Sequence, residues 1–532
     1  MTKRNSFPPV IYTCDGWIMG ALKDVTTDDL KTKMIDGYAG TGGAFGWSIG
    51  DHEVCHFETE FGEILGDGYA NKEPELHSFV HSSLPGIVEN TYNNVMALKA
   101  SCGGPMTALV KLCAEADLPF FPRVRMNSHY VIDPEHPGYG RFRRENPHLL
   151  IGRPDEELVE GTMEYGLRTG KNYARPEVRD YMLKVICECF ERWDVDGVEL
   201  DFMRHPGFFR IEEAYANRYL MTDLVERVRE RLRQVGEERG RQIKLLVRVP
   251  PTIADSVRVG LDVVEWMEED LVDIVIAGGG FIPFETPVHE FVAAARDTGA
   301  LVYGCIEATR QMDDRTLRAL CYRWLKEGAD GVYLYNFYTQ APEWNRRQFD
   351  TLSDIAAMDR LDKRYELAAA GAFTPCGGHS CGFRYASPST QMPAILDHTV
   401  SPGPVFTIPV ADDLAGAHAD DALAGCKLFF IVENFTGEDE LEVKLNGVEI
   451  PWRTAEVNFD GWTKLQVEPL FWGKYPTYPV EVEHEGTGIT LSVGTPPLRQ
   501  GDNEIQVSAR TNHSPTGRIT LRDIHVSINY AN

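Results

Sequence analysis

The sequence lacks any run of about 18 consecutive apolar residues, the minimum that a membrane-spanning helix requires. It is also short of positive charge: 53 lysine and arginine residues stand against 80 aspartate and glutamate residues, a formal net charge of −27. Nucleic acids and anionic lipid surfaces select basic proteins. The composition therefore argues against a membrane or nucleic-acid partner, and it does not restrict a neutral ligand.

Cysteine is present without a disulfide pattern. The 11 cysteines are an odd number and are scattered through predicted helices and strands, as expected for reduced, buried thiols. The one metal-like cluster, Cys376 and Cys381 with His379 between them, has no second ligand pair nearby and does not predict a zinc site. We predict neither a metal nor a cofactor.

The N-terminus has a basic start but no apolar segment of the signal-peptide type. The sequence therefore predicts a cytoplasmic protein, with an exported protein whose signal peptide has been removed as the alternative. It contains no internal repeat and no low-complexity tract. A chain of 532 residues is too long for one core, so we expect two or three domains. A homo-oligomer is compatible with this composition.

The stretch 195–206 combines a buried strand with a cluster of charges. Alternation puts Gly197, Glu199 and Asp201 on one face of the strand. Two carboxylates on one face of an apolar strand are costly to bury without partners. They are either a structural ion pair, for example with Arg204, or acids at the C-terminal end of a barrel strand that act on a substrate.

The residues around this strand resemble a known family. The run Arg-Pro-Glu-Val-Arg-Asp-Tyr at 175–181 is followed by Asp-Val-Asp-Gly-Val-Glu-Leu-Asp at 194–201 and by Arg204, His205 and Pro206. This pattern is similar to the signature of the glycosyl hydrolase-like TIM-barrel proteins of the family-ten type, NPEVRDY followed by YDVDGI-x-x-D-x-x-R-x-P. The resemblance implies a (β/α)8 barrel that acts on carbohydrate.

The rest of the first 360 residues agrees with such a barrel. Apolar segments that are separated mostly by helical patterns predict eight strands, at 9–17, 43–49, 118–127, 195–201, 243–250, 272–280, 301–309 and 331–337. Long insertions follow strand two, at about 51–71, and strand three, at 130–171. We interpret the second as a loop over the active site, and we expect His52 and His56 of the first to be surface residues.

From about residue 373 the helical periodicity gives way to short alternating strands with turns at Asn446-Gly447 and Gly501-Asp502. This pattern predicts a β-sandwich domain over 361–532, after a barrel domain over 1–360. The segments 441–447 and 501–507 are similar to the galactose-binding-like sandwiches that follow many glycosidase barrels. We favour a packing role for this domain over a role in sugar binding.

The acids suggest glycosidic-bond hydrolysis. Asp201 closes strand four and Glu307 closes strand seven, the positions of the two catalytic carboxyls in the large clan of retaining TIM-barrel glycosidases, although this chain lacks that clan's Asn-Glu pair at strand four. Glycoside hydrolysis needs one protonated and one ionised carboxyl. We predict Glu307 as the nucleophile and Asp201 as the general acid/base, with Glu199 tuning the proton; the exchange of Asp201 and Glu199 stays open.

Polar and aromatic residues at the strand ends complete the predicted site. Arg204 and Arg248 are candidates to hold substrate hydroxyls or a carboxylate. The other predicted carbohydrate ligands are Asp15, Trp17, Trp47, Arg125, Asn127, His129, Tyr333, Tyr335 and Asn336, with the aromatic rings as stacking faces.

Two other functions remain open on the sequence alone. One is a non-catalytic carbohydrate-binding barrel, in which Glu307 would be dispensable. The other is a lyase or another barrel enzyme on an acidic sugar, which the basic set Arg123, Arg125, His129, Arg204, His205 and Arg248 would suit. A metal-dependent hydrolase is not favoured, because strand one has no His-x-His and no strand ends in a bridging lysine.

Overall fold

A computed structural model describes residues 6–16, 18–67, 86–128, 131–153, 156–158, 163–203, 206–279, 283–307, 314–336, 351–352, 354–368, 391–459, 462–463, 483–484, 486–515 and 517–531. The cluster of Cys376, His379 and Cys381 lies outside these residues. None of the described helices is long and apolar enough to cross a lipid bilayer.

Eight parallel strands form a closed barrel. They are β1 Val10–Cys14, β2 Ala44–Ser48, β3 Phe120–Arg125, β4 Gly197–Asp201, β5 Lys244–Val249, β6 Ile274–Ala277, β7 Leu301–Glu307 and β8 Gly331–Tyr335. Each strand pairs with the next along the chain, and β8 pairs with β1 to close the ring. Each predicted strand is present, so the predicted (β/α)8 TIM barrel is confirmed.

Strand alternation divides the barrel residues between an inner and an outer layer. The lower interior is filled by apolar side chains such as Ile11, Phe121, Leu246 and Ile274. Nearer the C-terminal ends, the same inward-facing positions carry arginine, glutamate and aspartate. The interior therefore changes from a packed apolar core to a buried charged layer along the strand direction.

Helices cover the outside of the barrel. Pro176 occupies the first turn of the helix before β4, where a missing backbone N–H costs nothing. Thr26 and Asp29 form the capping box of a short helix that continues as a π-turn at Lys31–Ile35. The described helices include Ile18–Ala21, Thr27–Leu30, Ile87–Cys102, Pro105–Glu115, Arg141–Glu145, Met163–Leu167, Pro176–Glu191, Ile211–Arg239, Ile253–Arg258, Val263–Glu268, Val288–Ala295, Asp314–Lys326, Ile355–Met358 and Leu414–Ala419.

The two predicted insertions have secondary structure of their own. The first contains three two-residue strands, Gly50–Asp51, Val54–Cys55 and Glu63–Ile64, which pair with one another. The second contains the helices Arg141–Glu145 and Met163–Leu167 and two 3-10 turns, Pro137–Tyr139 and Pro147–Leu149.

The C-terminal part is antiparallel, which confirms the predicted β-sandwich. Its strands are β9 Lys363–Ala368, β10 Ala394–Ile395, β11 Val405–Val410, β12 Leu423–Glu433, β13 Leu441–Leu445, β14 Val448–Ile450, β15 Glu456–Asn458, β16 Trp462–Thr463, β17 Glu483–His484, β18 Thr487–Val493, β19 Gly501–Ala509 and β20 Thr520–Tyr530. One sheet has the order β9-β20-β12-β18-β15 with β10 on β20, another has β11-β19-β13-β14, and β16 pairs with β17.

The predicted turns of the sandwich have different outcomes. Asn446 and Gly447, with φ of 50° and 79°, join β13 to β14 in a tight hairpin, as predicted. Gly501 and Asp502 instead open β19 and pair with β11, so the turn predicted there is wrong.

The sandwich contacts the barrel through its first strand. Arg364 Nε of β9 donates to Thr316 Oγ1 of the helix between β7 and β8, at 3.0 Å. The Lys363 ammonium lies 4.3 Å from the centre of the Tyr322 ring on the same helix. The barrel strands end at Tyr335 and the sandwich begins at Lys363; the exact domain boundary at residue 360 stays a prediction.

Candidate active site

The charged layer is centred on Asp201, the last residue of β4. Its Oδ2 accepts a hydrogen bond from Arg123 at 2.9 Å, and Arg248 binds both carboxylate oxygens, at 3.0 and 2.9 Å. Arg123 lies on β3 and Arg248 on β5, so the two strands that flank β4 supply the cations. All three side chains are buried. Asp201 is therefore part of a buried ion-pair cluster with arginines of the two neighbouring strands; Arg204, the partner that the sequence suggested, lies outside the described residues.

The two acids of β4 have opposite pKa shifts. Burial by itself would raise the pKa of Asp201, but Arg248 and Arg123 outweigh it and hold this pKa below its usual range. Glu199, two residues deeper, has a pKa raised to about 7, chiefly by burial and secondarily by the nearby Asp201 charge. The Tyr333 hydroxyl lies 2.9 and 2.8 Å from its two oxygens. One carboxyl is thus ionised and the other is half protonated near neutral pH.

Glu199 makes the stability of the fold depend on pH. Glutamate in an unfolded chain has a pKa of about 4.3, so from about pH 4.5 to about pH 7 the folded protein keeps a proton that the unfolded chain has lost. Stability therefore falls as pH rises through this window and levels off above it. In Glu199→Gln this contribution, on the order of 3 kcal/mol, is expected to disappear. Urea unfolding of the wild type and the variant at several pH values measures this contribution. If the unfolding free energy of the variant changes with pH as it does in the wild type, the assignment is contradicted.

Tyr335 joins the arginines of β3 across the barrel. Its hydroxyl oxygen accepts hydrogen bonds from Arg123 at 3.1 Å and from Arg125 at 3.0 Å. Both Arg123 and Arg248 also stack near the Tyr335 ring, 4.3 and 4.7 Å from its centre. The Tyr335 side chain is fully buried, so it supports the arginines and offers no open stacking face.

The outermost layer contains three carboxylates and one amide. Asn336 Nδ2 donates to Asp15 Oδ2 at 3.0 Å and to Glu307 Oε1 at 3.3 Å. Arg125 Nη2 lies 3.7 Å from Asp15 Oδ2, and its Nη1 is 3.4 Å from Asp51 Oδ1. The ends of β1, β3, β7 and β8 thus bring Asp15, Arg125, Glu307 and Asn336 together at the C-terminal mouth of the barrel.

Asn127 is a correction to the predicted set of carbohydrate ligands. Its Nδ2 donates to the carbonyl oxygens of Lys171 and Gly207, at 3.0 and 2.7 Å. Its Oδ1 accepts from the backbone N–H groups of Lys171 and Ser128. Both donors and both acceptor positions of the amide are therefore used, and Asn127 ties the loops after β3 and β4 together instead of offering a group to a ligand.

Trp47 is a second correction. On β2 the inward positions are Ala44, Gly46 and Ser48, so Trp47 points to the outer layer, where it belongs to the same packed core as Tyr12 and Phe45. Its indole is fully buried there. A stacking face for a ligand at the mouth is therefore wrong for this residue. Trp17, His129, Arg204 and His205, which were also predicted at the mouth, lie outside the described residues.

The first insertion contains a buried charged cluster that the sequence did not predict. His52, expected on the surface, is fully buried; it contacts Glu53 through Nδ1 and Arg143 Nη2 through Nε2, at 3.0 Å. Lys171 Nζ donates to Glu53 at 2.6 Å. Burial lowers the pKa of His52 to about 4, so the ring is neutral at pH 7. His56 is half-buried, and within the described residues no group of three or more metal-ligating side chains comes together.

Comparisons with known proteins give matches only among solved structures. No protein-family model matches the sequence, and no curated protein matches it. The solved structures that the chain matches include α-L-fucosidase isoenzyme 2 from Paenibacillus thiaminolyticus, at 13% identity and a TM-score of 0.38; the match covers 66% of this chain and 49% of that one.

Two further structures are comparable. The GH36 α-galactosidase AgaA from Geobacillus stearothermophilus is 12% identical, with a TM-score of 0.37, and the match covers 98% of this chain and 55% of that one. The chitobiase from Flavobacterium johnsoniae is 14% identical, with a TM-score of 0.37 and 66% and 50% coverage. This chain spans about half the length of these neighbours. The family-ten type suggested by the sequence stays a prediction.

Proposed function

We propose that the protein is a glycoside hydrolase that cleaves an O-glycosidic bond in an oligo- or polysaccharide with retention of configuration. The observation that carries the proposal is the group of carboxyls on the inner face of β4 and β7, held among arginines at the C-terminal end of the barrel. In this fold the reacting groups lie at that end.

Glu307 is assigned as the nucleophile. It closes β7, it is buried, and its contact with the Asn336 amide orients one carboxylate oxygen at the mouth. A carboxylate in this position attacks the anomeric carbon as the bond to the leaving oxygen breaks, and water then releases the sugar from the resulting ester.

The strand-four acids suit a supporting role better than proton donation. Asp201 has three hydrogen bonds from two arginines, which favour its ionised form, whereas a general acid has to carry a proton before the reaction. Glu199 retains a proton near neutral pH, but it lies two residues deeper, about 7 Å along the strand. We therefore assign Asp201 to hold Arg123 and Arg248 in place, and Glu199 to tune the charge of the layer.

The same contacts favour one alternative, a barrel that binds carbohydrate without cleaving it. The pairing of Asp201 with two arginines is also what a purely structural charge layer would require. In that case Glu307 would contribute no more than a hydrogen bond.

The deciding experiment measures hydrolysis and binding on the same samples. The wild type and Glu307→Gln are assayed against a panel of nitrophenyl glycosides, including uronides and N-acetylated sugars, and against oligosaccharides. Glu191→Gln, an exposed substitution on the helix Pro176–Glu191, serves as the matched control. Turnover by the wild type and the control that is lost in Glu307→Gln supports the hydrolase; oligosaccharide binding without turnover in all three proteins contradicts it.

A further inference from the structure

At the rim of the barrel, the ends of three neighbouring strands bring two carboxyl groups to one amide group. Asp15 follows β1, Asn336 follows β8 and Glu307 ends β7, and these strands are neighbours in the sheet. The Asp15 backbone N–H donates to Asn336 Oδ1 at 3.0 Å, which fixes the orientation of the amide. The NH₂ group of Asn336 therefore faces the Asp15 and Glu307 carboxylates and donates to both.

The backbone holds this arrangement in place. Asn336 has a φ of 61°, a left-handed conformation that asparagine tolerates better than most residues, and its N–H donates to the Thr13 carbonyl at 2.8 Å. Gly16, which follows Asp15, has a φ of 79°, and a Cβ there would lie 2.7 Å from the Ser48 carbonyl oxygen. Both turns are thus specified by residue type, which keeps the two carboxyls at a set spacing.

The spacing suits a reacting pair. Two oxygens that lie 3.0 and 3.3 Å from the same nitrogen are at most about 6.3 Å apart. Retaining glycosidases hold their two carboxyls about 5–5.5 Å apart, whereas inverting enzymes leave about 6.5–9.5 Å for a water molecule. This limit on the nearest oxygens of Asp15 and Glu307 accommodates the retaining spacing.

Asp15 is also the more accessible of the two. Its side chain is 18% exposed, while Glu307 is 1% exposed. A group that gives a proton to the leaving oxygen and then takes one from water needs contact with solvent, which a nucleophile does not. The Arg125 guanidinium near Asp15 also contacts Asp51 and Tyr335.

We infer that Asp15, and not an acid of β4, is the catalytic acid/base that opposes Glu307. This inference rests on the proposed hydrolase function. In the first step the Glu307 carboxylate bonds to the anomeric carbon, the carbon–oxygen bond breaks, and the leaving oxygen receives the proton of the Asp15 carboxyl. In the second step Asp15 removes a proton from water, the hydroxide attacks the same carbon, and Glu307 leaves as a carboxylate.

Azide rescue of Asp15→Ala tests the inference. The substrates carry the sugar of the nitrophenyl glycoside that the wild type cleaves fastest. Turnover of the phenyl glycoside, whose leaving group needs a proton, is expected to fall about 10²–10⁴-fold, and that of the dinitrophenyl glycoside far less. Sodium azide attacks the covalent intermediate without needing a base. It is expected to restore turnover of the dinitrophenyl glycoside, whose leaving group departs without a proton, and to yield a glycosyl azide of the same anomeric configuration as the substrate.

Asp51→Ala is the matched control, because Asp51 is a similarly exposed carboxylate on Arg125 that does not contact Asn336 in the described structure. Its activity is expected not to respond to azide. Failure of azide to rescue Asp15→Ala, or a glycosyl azide of inverted configuration, overturns the role of Asp15. If Asp15→Ala fails in this way while Glu307→Gln remains inactive, the inference is lost and the hydrolase function stands. Full activity in Glu307→Gln removes the proposed function itself.

Discussion

Glu307→Gln is expected to lower kcat/KM by about 10⁴-fold or more, because the variant keeps the size and the polar contact of the side chain but lacks a nucleophilic oxygen anion. The Asn336 amide, which donates to Glu307 Oε1, finds the same type of acceptor in the glutamine side chain. Binding is therefore expected to change little, and the loss should appear in kcat. Initial rates over a range of substrate concentrations separate the two parameters.

The fold of this variant has to be intact for the result to count. A thermal unfolding midpoint close to that of the wild type, with the same far-UV circular dichroism, is the structural control. A variant that is folded and still turns over substrate at more than a few per cent of the wild-type rate would show that Glu307 is not the nucleophile.

The largest expected loss of stability comes from Arg248→Met, at about 3–5 kcal/mol. Arg248 donates hydrogen bonds to both oxygens of the buried Asp201 carboxylate, and methionine fills a similar space without charge. The variant leaves an ionised group in the barrel interior that has lost this bidentate partner and keeps the hydrogen bond from Arg123. Adding Asp201→Asn to Arg248→Met removes that buried charge and is expected to recover part of the loss.

Arg227→Met is the matched comparison on the outside of the barrel. Arg227 forms ion pairs with Asp180 and Asp223, at 2.7 and 3.8 Å, but all three side chains are exposed to solvent. Such pairs contribute less than about 1 kcal/mol. Urea denaturation of both variants gives the contrast, and equal losses would mean that burial of the Asp201 pair adds nothing to the stability.

Much of the barrel could be predicted from the sequence because its strands are short and buried on both faces. The alternation within 195–201 places Glu199 and Asp201 on one face, and the structure has both on the inner face of β4. Trp47 follows the same rule: with Ala44 and Gly46 inside, alternation requires Trp47 outside, and a stricter use of the pattern predicts its position in the outer core.

The partners of the charges could not be predicted in this way. Asp201 pairs with Arg123, 78 positions earlier, and Arg248, 47 positions later, because barrel closure brings β3 and β5 to the two sides of β4. Arg204, close in sequence, was the partner that local spacing suggested. Arg204 itself lies outside the described residues. Strand order around the ring, which depends on the whole fold, is what brings Arg123 and Arg248 to Asp201.

The contacts of loop residues were even harder to predict from the sequence. The amide of Asn127 is filled by backbone groups at Lys171 and Gly207, and a single sequence gives no sign of where distant carbonyls will lie. His52 is buried for the same reason, since Arg143 and Lys171 reach it and Glu53 from the second insertion. Polar composition had suggested a solvent-facing loop, but these residues contact one another beneath the surface.

The helix Asp314–Lys326 belongs to two structural units at once. It connects β7 to β8, and thus the strands that end in Glu307 and lead into Asn336, while Thr316 and Tyr322 on its outer side meet Arg364 and Lys363 of β9. A gene fusion that replaces the C-terminal β-sandwich by another domain would remove β9, the strand that packs on this helix. A replacement domain therefore has to reproduce the contacts between this helix and β9, or the residues on both sides of the contact have to be redesigned together.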